Sequence, residues 1–433
     1  MHFYKEYFCN EKELTQREYK YAKIGFTISD SAAGISANIA GGSYLAAFLA
    51  FLGANEATSN FIMSLGIFVG FLMFLLPAIT KNMVHKKPLA ILCYFVERFS
   101  PAVMFFAPFI FGISKTSLIA IAVLYSVSYI GAYFMNPLHM AWFMDCVEPC
   151  GKVASFCGIK DSVSNGTLIL AFFALAAITK HFTGSKEIYA YLIFGITLLI
   201  LAIIRMGSMV FVKEPYSAKS SAKKSPGISE TFKNIFTLKK IKPYLVYSIL
   251  YTAGAQLINT LGNIVYVQRF NLPLEFLSYI LVMDLVLRTV ISPFCGKLTD
   301  KLGSKALLSA SLIVFAVVSL LHAFMTPENA FVIRIIIAVL TSLAQASYAP
   351  SSFLFLTESL PTENRSSYIA CASSVFYFIS YVTSLMATWF ISVANGFKIN
   401  VLGFDFSEVG IVFIFGTMLL LSAGFYISKQ KKS

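Results

Sequence analysis

Charged side chains interrupt several of the long apolar runs in this 433-residue sequence. Asp284 and Arg288 stand four positions apart, so on a helix they share a face and can form an ion pair. A charge at the centre of a bilayer costs roughly 2.5–3.5 kcal/mol even on the lenient insertion scale, so such groups face protein or water. Two interpretations stay open for this pair, namely a structural salt bridge and a role in handling substrate or protons.

Two further sites carry charge within apolar runs. Glu97 and Arg98 are adjacent, and because neighbouring side chains on a helix point about 100° apart, we expect them to have different partners. Asp30 stands near the beginning of its run, where its carboxylate can reach the membrane surface or cap the helix. We favour that interpretation of Asp30 over proton coupling.

A polar stripe marks a third candidate site. Thr252, Gln256, Asn259 and Asn263 recur at helical spacing, and amides are costly to leave in lipid. The stripe therefore faces either another helix or a wet cavity, and we favour the cavity. Other candidates for a solute-binding cavity are Asn38, Tyr125, Tyr129, Tyr133, Asn136, Gln345, Tyr348, Tyr377 and Tyr381. Tyrosines at such spacing also serve as ordinary packing residues.

The elements that must position these residues are membrane helices. The chain is 57% hydrophobic and 13% charged, against about 25% charged in soluble domains. Its apolar residues form a dozen runs, each long enough to cross about 30 Å of hydrocarbon as a helix. The runs are 25–52, 61–80, 89–112, 118–140, 158–178, 188–212, 243–267, 276–293, 306–325, 331–355, 368–393 and 409–427. We predict an all-α membrane protein with twelve transmembrane helices.

The basic residues predict the orientation of the chain. Of 34 Lys and Arg residues, 25 fall in or beside the segments that lie inside if the N-terminus is cytoplasmic, and 5 fall in the outer loops. Both termini are therefore predicted to be cytoplasmic, in a multi-pass protein of the cell (inner) membrane. Attraction to an anionic inner leaflet accounts for the net charge of +13, so no nucleic-acid partner is predicted.

The domain organisation follows from the longest inner connection. We predict an N-terminal tail over 1–24, six-helix bundles over 25–212 and 243–427, a basic linker over 213–242 and a tail over 428–433. Apolar residues between 228 and 236 recur at helical spacing among lysines, which indicates a short amphipathic helix on the inner leaflet. A merely solvated basic linker is an equal alternative.

A pair of similar loops, one in each half of the chain, indicates an internal duplication. Asp145 is followed seven positions later by Lys152, and Glu358 is followed in the same way by Arg365, at an offset of 213. This predicts two pseudo-symmetric six-helix units.

The stretch GKLTDKLGSK resembles the loop motif G-x-L-A-D-R-x-G-R-K of the major facilitator superfamily. Members of that family are secondary transporters with twelve helices. The matching residues are Gly296, Leu298, Asp300, Gly303 and Lys305.

The resemblance implies a function and a gate. Such a protein moves a small organic solute by alternating access, with coupling to protons or sodium ions, or by facilitated diffusion. Asp300 is then expected to hold the N-terminal end of the fifth helix near Gly158, beside Lys152 or Lys160, when the cytoplasmic side is closed. We expect Gly296 and Gly303 to permit tight bends in that loop.

Several alternatives stay open about the activity. We favour transport of an uncharged polar solute such as a sugar. The first alternative is a multidrug or metabolite efflux permease, and the second alternative is a non-transporting membrane sensor. An enzyme is not expected, because no cluster of His or acidic residues stands near a membrane surface. We predict no cofactor and no metal site, and we expect a monomer.

Overall fold

The structure is a computed structural model. It describes residues 7–8, 13–54, 56–83, 85–182, 186–215, 227–266, 270, 272–394, 397–401 and 404–430. The first half contains α1 (Gln16–Ile39), α2 (Gly42–Phe51), α3 (Glu56–Gly70), α4 (Leu76–Thr80), α5 (Lys87–Met104), α6 (Ala107–Phe111), α7 (Lys115–Val147), α8 (Val153–His181) and α9 (Glu187–Val210). The remainder contains α10 (Ile228–Thr237), α11 (Lys242–Ile264), α12 (Leu274–Leu302), α13 (Ser304–Ala323), α14 (Ala330–Ser359), α15 (Arg365–Val393) and α16 (Glu408–Ser428).

The helices confirm the prediction of an all-α membrane protein. Each of the twelve predicted runs lies on one helix or on consecutive helices, which agrees with the predicted count. Within the part of the chain that the structure describes, nine helical stretches are long and apolar enough to cross a membrane on their own. Helices suit this role because each pairs its backbone polar groups within its own segment.

Three of the predicted runs are interrupted. The first breaks between α1 and α2 at Gly41, whose extended backbone (φ −142°, ψ −169°) begins a new helix. The second passes through a 3₁₀ turn, Phe71–Leu75, before Pro77 enters the first turn of α4. The third ends its main helix at Met104 and resumes at Ala107, where Pro108 occupies the first turn of α6. Proline is suited to a first helical turn because its missing N–H has no partner there.

The described chain divides into two compact units. Unit 1 comprises Met1–Gly151, Val163–Lys233 and Pro361–Ser374. In this unit, α5 packs against α7 and α9, and α9 packs against α1. Its apolar core is rich in aromatic rings, with Phe48, Phe105 and Phe194 almost fully buried.

Unit 2 comprises Lys152–Ser162, Asn234–Leu360 and Val375–Ser433. Here α13 packs against α14 and α16, α11 packs against α16, and α12 packs against α14. The boundaries differ from the predicted bundles at two places, because the first ten residues of α8 cluster with unit 2 and the first ten of α15 with unit 1. The division into two six-helix bundles stays a prediction.

Two local features depart from the sequence analysis. A short antiparallel hairpin, β1 (Lys398–Val401) and β2 (Phe404–Ser407), precedes α16, with Ile399 opposite Phe406. The sequence predicted a plain loop there. The stretch GKLTDKLGSK is also mostly helical, since α12 continues to Leu302 and only Gly303, with φ +92°, makes a turn. A positive φ of this kind is a conformation that glycine adopts at little cost.

Candidate functional site

The first cluster of polar groups in unit 1 contains Asp30 of α1 and His139 of α7. The Nε2 atom of His139 lies 3.0 Å from Oδ1 of Asp30. The Nδ1 atom of the same ring is hydrogen-bonded to the hydroxyl of Tyr94 on α5. We assign the tautomer with the proton on Nε2, because a ring nitrogen that faces a carboxylate must donate and the tyrosine hydroxyl can donate to the other. Asp30 thus contacts a titratable group rather than only reaching the membrane surface.

A second cluster is centred on Glu97 of α5. Its Oε2 accepts a hydrogen bond of 2.7 Å from Nη1 of Arg205 on α9, and its Oε1 lies 2.7 Å from Nη2 of Arg98. Arg205 also donates to Ser29 of α1 at 3.3 Å, and its guanidinium lies 4.8 Å from the ring centre of Tyr94. One carboxylate therefore stands between two guanidinium groups in the core of unit 1.

The contact between Glu97 and Arg98 shows that the expectation of different partners was wrong. The two Cα–Cβ bonds point in different directions, but the arginine side chain is long enough to bend back to its neighbour. The sequence analysis also missed Arg205 as a site residue. The sequence did mark Arg205 as a candidate, because it is the sole charged residue within the apolar run 188–212. The side chains of Glu97 and Arg205 are 6% and 3% exposed, which marks this cluster as fully enclosed.

The third cluster lies in unit 2 and contains the predicted pair on α12. Arg288 donates to Oδ1 of Asp284 from Nε at 3.0 Å, and its Nη2 donates to Oδ2. Ser342 of α14 donates a hydrogen bond of 2.6 Å to Oδ1 of Asp284. The pairing follows the helical spacing, and Ser342 fastens it to a second helix. The side chain of Arg288 is 29% exposed, so this pair is less enclosed than the pair of Glu97 and Arg205.

Tyrosines form a polar aromatic group in unit 2. The rings of Tyr251 on α11 and Tyr348 on α14 stack with their centres 4.3 Å apart. Gln345 lies within hydrogen-bonding reach of the Tyr251 hydroxyl. Tyr247, one turn earlier on α11, shares a hydrogen bond of 2.8 Å with Ser352. The structure thus brings together the predicted residues Gln345 and Tyr348 and adds tyrosines that the sequence analysis missed.

The tyrosines of α7 form a similar column in unit 1. Tyr125, Tyr129 and Tyr133 have consecutive ring centres 4.8 and 5.7 Å apart, and Tyr125 donates to the Tyr129 hydroxyl at 3.2 Å. Asn136 is exposed at the end of this column. Asn38 of α1 donates one amide N–H to the Gly34 carbonyl of its own helix at 2.9 Å, which leaves its second N–H and its oxygen to contact a solute.

The remaining cavity candidates lie on α11 and α15. Thr252, Gln256 and Tyr377 are half-buried, and Tyr381 is exposed. Asn259 and Asn263 fall on α11, but their side chains lie outside the described residues. The proposed polar stripe therefore stays a prediction in its outer half.

Asp300 contacts the beginning of α8, within unit 2. Its carboxylate accepts hydrogen bonds from the backbone N–H groups of Ala154 at 3.1 Å and Ser155 at 2.8 Å, and from the Ser155 hydroxyl. Free N–H groups and a partial positive charge are found at any helix N-terminus, so a carboxylate is stabilised there. The contact lies one turn before Gly158, at the helix end that the family resemblance implied.

Gly296 has a different role from the expected bend. It lies inside α12, and a Cβ atom on it would stand 2.4 Å from the carbonyl oxygen of Ala154. Gly158 shows the reciprocal feature, because a Cβ there would stand 2.3 Å from the carbonyl oxygen of Ser292. The two glycines allow the backbones of α8 and α12 to touch, and the sequence alone could not distinguish this from a turn.

Arg365 at the beginning of α15 contacts two acidic side chains within unit 1. Its Nη1 donates to Asp145 at 2.9 Å and its Nη2 donates to Glu148 at 2.5 Å, while the arginine side chain is 2% exposed. Planar guanidinium groups suit such two-acceptor recognition. The sequence analysis named Asp145 and Arg365 and missed Glu148.

The other residues of the predicted gating loops do not share one contact but lie in separate surroundings. Glu358 accepts a hydrogen bond of 2.6 Å from Ser304 at the beginning of α13. Lys152 is exposed, and Lys160 lies 3.6 Å from its neighbour Asp161. Lys305 is half-buried. Asp300 contacts the backbone amides at the beginning of α8, which is the helix end that was expected.

Left-handed residues mark equivalent positions before α8 and α15. Lys152 has φ +51° and Asn364 has φ +57°, and they lie 212 positions apart (364 minus 152). The structural offset is thus one less than the 213 inferred from the charges. Lys152 is consequently equivalent to Asn364 rather than to Arg365.

A lysine missed by the sequence analysis is buried at the beginning of α5. The Nζ atom of Lys87 donates to the backbone carbonyls of Tyr7, Val210 and Val212, each at 2.7 Å, and Lys87 is 1% exposed. The carboxylate of Glu214 accepts from the backbone N–H groups of Lys86 and Lys87, each at 3.3 Å. Burial lowers the pKa of Lys87 to about 7, against the opposing attraction of Glu214.

The chain matches one known protein family and is similar to solved structures over nearly its whole length. The family model described as Major Facilitator Superfamily matches residues 31–375 and 246–432. No curated protein matches the sequence. The solved structure of the proton:xylose symporter XylE, bound to 6-bromo-6-deoxy-D-glucose, covers 95% of this chain and 94% of its own, with 11% identity and a TM-score of 0.65.

Two further solved structures are similar over nearly the whole chain. The E. coli fucose:proton symporter FucP, solved as a single-residue variant, covers 96% of this chain and 98% of its own at 11% identity, with a TM-score of 0.69. A bacterial homologue of the iron transporter ferroportin, in its outward-facing state, covers 95% and 98% at 12% identity, with a TM-score of 0.68. At these identities the likeness shows a shared fold.

Proposed function

This chain belongs to the major facilitator superfamily of membrane transporters, and we propose that it moves a small polar organic solute by alternating access, driven by protons. It is a transporter and not an enzyme. We further propose that it resides in the cell's inner membrane with both termini in the cytoplasm. The distribution of basic residues supports that orientation.

The observation that carries the proton coupling is the contact between Asp30 and His139. A coupling site must exchange a proton during each cycle, so its carboxylate must not be held permanently ionised. Glu97 is held by two guanidinium groups, and Asp284 is held by Arg288 and Ser342. Protonating Glu97 would leave the buried Arg205 with a weakened counter-charge, which is strongly unfavourable. Protonating Asp284 would remove the counter-charge of the half-buried Arg288 at a smaller cost.

Asp30 has the properties that the other two acids lack. One of its partners is an imidazole, which can itself take or release a proton in the physiological range. The charge of Arg205 also acts on Asp30. Its side chain is 19% exposed, against 6% for Glu97 and 12% for Asp284. A proton added to Asp30 removes its negative charge and weakens the hydrogen bond from His139. Because the two groups lie on α1 and α7, loading the proton would loosen the contact between these helices.

The solute class is supported by the tyrosine groups on α7, α11 and α14. Sugars offer apolar C–H faces that pack on aromatic rings and hydroxyl groups that bond to amides and phenols. Tyr348 stacked on Tyr251, with Gln345 beside them, provides both kinds of group. Two of the similar structures are a proton:xylose symporter and a fucose:proton symporter, whereas another is a homologue of an iron transporter. We propose a sugar or a similarly hydroxylated solute.

The test uses purified protein in proteoliposomes. Counterflow of labelled pentoses, hexoses, nucleosides and lipophilic dyes identifies the solute, because exchange needs no driving ion. For the solute found, accumulation is then measured under an imposed pH gradient and, separately, a sodium gradient. We expect exchange of at least one sugar, and accumulation with the pH gradient only.

Variants separate coupling from binding. Asp30→Asn and His139→Gln should abolish accumulation under a pH gradient while retaining counterflow. Glu13→Gln, which removes an exposed acid outside the membrane helices, is the matched control and should behave as wild type. Exchange of dyes without sugars would replace the solute proposal by efflux. Full accumulation by Asp30→Asn would remove the proton site from this pair.

A further inference from the structure

Unit 1 contains a cavity that the transport proposal does not use. It has a volume of about 320 Å³ and lies among α2, the end of α8 and the first turns of α9. Its wall includes Tyr44, Phe182, Tyr191 and Phe194, together with the carboxylate of Glu187. Neither Asp30 nor His139 lines it. The cavity is partly open, and its volume falls in the range of roughly 300–1,000 Å³ that is usual for pockets that bind small molecules.

The aromatic walls are held in place by the core behind them. The rings of Tyr44 and Phe194 meet edge to face with their centres 5.6 Å apart, and Tyr191 meets Phe194 in the same way at 6.0 Å. Phe48 supports Tyr191 from the core, with ring centres 4.8 Å apart. Tyr191 and Phe194 are almost fully buried. These rings are therefore preorganised, and a ligand would not have to order them.

Glu187 supplies the charge of the cavity. It is the first residue of α9 and is half-buried, so its carboxylate lies partly in contact with solvent. The Tyr191 hydroxyl donates a hydrogen bond of 2.8 Å to its Oε1, which turns the carboxylate toward the aromatic rings. Among the described residues that line this cavity there is no lysine, arginine or histidine. The cavity thus combines one negative charge with aromatic walls.

The chemistry of the lining selects the ligand. The faces of aromatic rings carry negative potential and attract organic cations, and aromatic cages are the usual recognition device for quaternary ammonium groups. A carboxylate adds the counter-charge, whereas an anion would be repelled. Of the described lining residues, Thr179 is the one polar side chain besides Glu187 and the tyrosines, which leaves little for the many hydroxyl groups of a sugar. We propose that this cavity binds a small organic ammonium ion, at a site separate from the solute pathway.

The binding test compares two ligands of nearly the same shape. Choline carries a trimethylammonium group, and 3,3-dimethylbutan-1-ol replaces its nitrogen by carbon and is neutral. Both are titrated into the detergent-solubilised, full-length protein by isothermal calorimetry. We expect choline to bind at least about tenfold more tightly than the neutral alcohol, as desolvated cation–aromatic contacts predict. Equal affinity of the two ligands, or binding of neither, would overturn the proposal.

Variants locate the site. Glu187→Gln keeps the shape of the side chain and should weaken choline binding about tenfold, and Tyr44→Leu should do the same by removing one aromatic wall. Glu328→Gln is the control, because it removes an exposed acid elsewhere and should leave the affinity unchanged. Size-exclusion profiles and melting temperatures show that each variant is folded. Unchanged affinity in folded Glu187→Gln would place the ammonium elsewhere and refute the site.

The same titration separates this site from the transport proposal. Asp30→Asn should lose accumulation of solute under a pH gradient and keep wild-type affinity for choline. Glu187→Gln should keep accumulation of solute under a pH gradient and bind choline more weakly than wild type. Loss of choline binding in Asp30→Asn, with normal binding in Glu187→Gln, would mean that choline occupies the solute pathway and would overturn the proposal of a separate site.

Discussion

Asp300 is hydrogen-bonded to Ser155 twice, through the backbone N–H at 2.8 Å and through the side-chain hydroxyl. The residue at the end of one helix thereby fixes the first turn of another that is far away in the sequence. Around this contact the backbones of α8 and α12 are in direct contact at Gly158 and Gly296. If the transporter alternates its access, this junction must either move as one body or come apart.

The first prediction concerns Asp300→Asn. The amide keeps the shape but loses the charge that interacts with the N-terminus of α8, an effect of roughly 0.3–2 kcal/mol. We expect the first turns of α8 to open more often, so that alkylation of Cys157, which is 3% exposed, becomes several-fold faster. The measurement uses a variant with the other cysteines replaced by serine. Lys301→Gln, one residue further and exposed, is the control and should leave the rate unchanged.

The second prediction ranks two arginines inside the membrane. Arg205→Met leaves Glu97 with one guanidinium in an enclosed core, and breaking a buried ion pair of this kind costs about 3–5 kcal/mol. Arg288→Met should cost about 1 kcal/mol, because its side chain is 29% exposed and Ser342 still bonds to Asp284. Thermal unfolding in detergent should show a clearly larger drop for Arg205→Met. Equal drops would mean that Glu97 is less isolated than its 6% exposure indicates.

The third prediction concerns the guanidinium of Arg365. Lysine keeps the charge but replaces the two guanidinium nitrogens that face Asp145 and Glu148 by a single ammonium nitrogen, so it fits the two carboxylates less well. Hydrogen exchange in the first turn of α15 should therefore be fastest in Arg365→Gln, intermediate in Arg365→Lys and slowest in wild type. Lys152→Gln removes an exposed charge and should exchange as wild type. Wild-type protection in Arg365→Lys would show that a single ion pair suffices.

The fourth prediction is a titration near neutral pH. Because burial lowers the pKa of Lys87 to about 7, the ammonium 5.4 Å from the Trp142 ring should lose its proton around that pH. In a Trp389→Phe background, Trp142 is the one tryptophan left in the sequence. Its fluorescence should change with a midpoint near the pKa of Lys87. The change should vanish in Lys87→Met and persist in Lys81→Met, which removes an exposed lysine.

The same group gives the direction of a stability effect. Between pH 7 and about 10.5 the unfolded chain still holds a proton that folded Lys87 has lost. The free energy of unfolding therefore rises with pH in this window, relative to Lys87→Met. Melting temperatures of the two proteins at about pH 7 and about pH 9 measure this difference. If the melting temperature of wild type minus that of Lys87→Met does not rise with pH, the three carbonyls keep Lys87 charged.

The sequence predicted what depends on composition and local spacing. Hydropathy located all twelve helical runs, and the four-residue spacing of Asp284 and Arg288 predicted their contact. The sequence could not predict contacts that depend on which helix faces become neighbours. His139 and Arg205 acquired their partners only through the packing of α1, α5, α7 and α9. The same limit applies to Gly296, since a helical glycine against another backbone and a glycine in a turn look alike in sequence.

The contact of Glu214 with the backbone of Lys86 and Lys87 has a practical consequence for protein engineering. It ties the chain down just after α9, before the stretch rich in serine and lysine that begins near residue 217. Extra residues inserted into that stretch would lengthen the chain without pulling on α9. A fluorescent reporter or affinity tag placed there would follow the protein in cells while the buried lysine and its three carbonyls stay undisturbed.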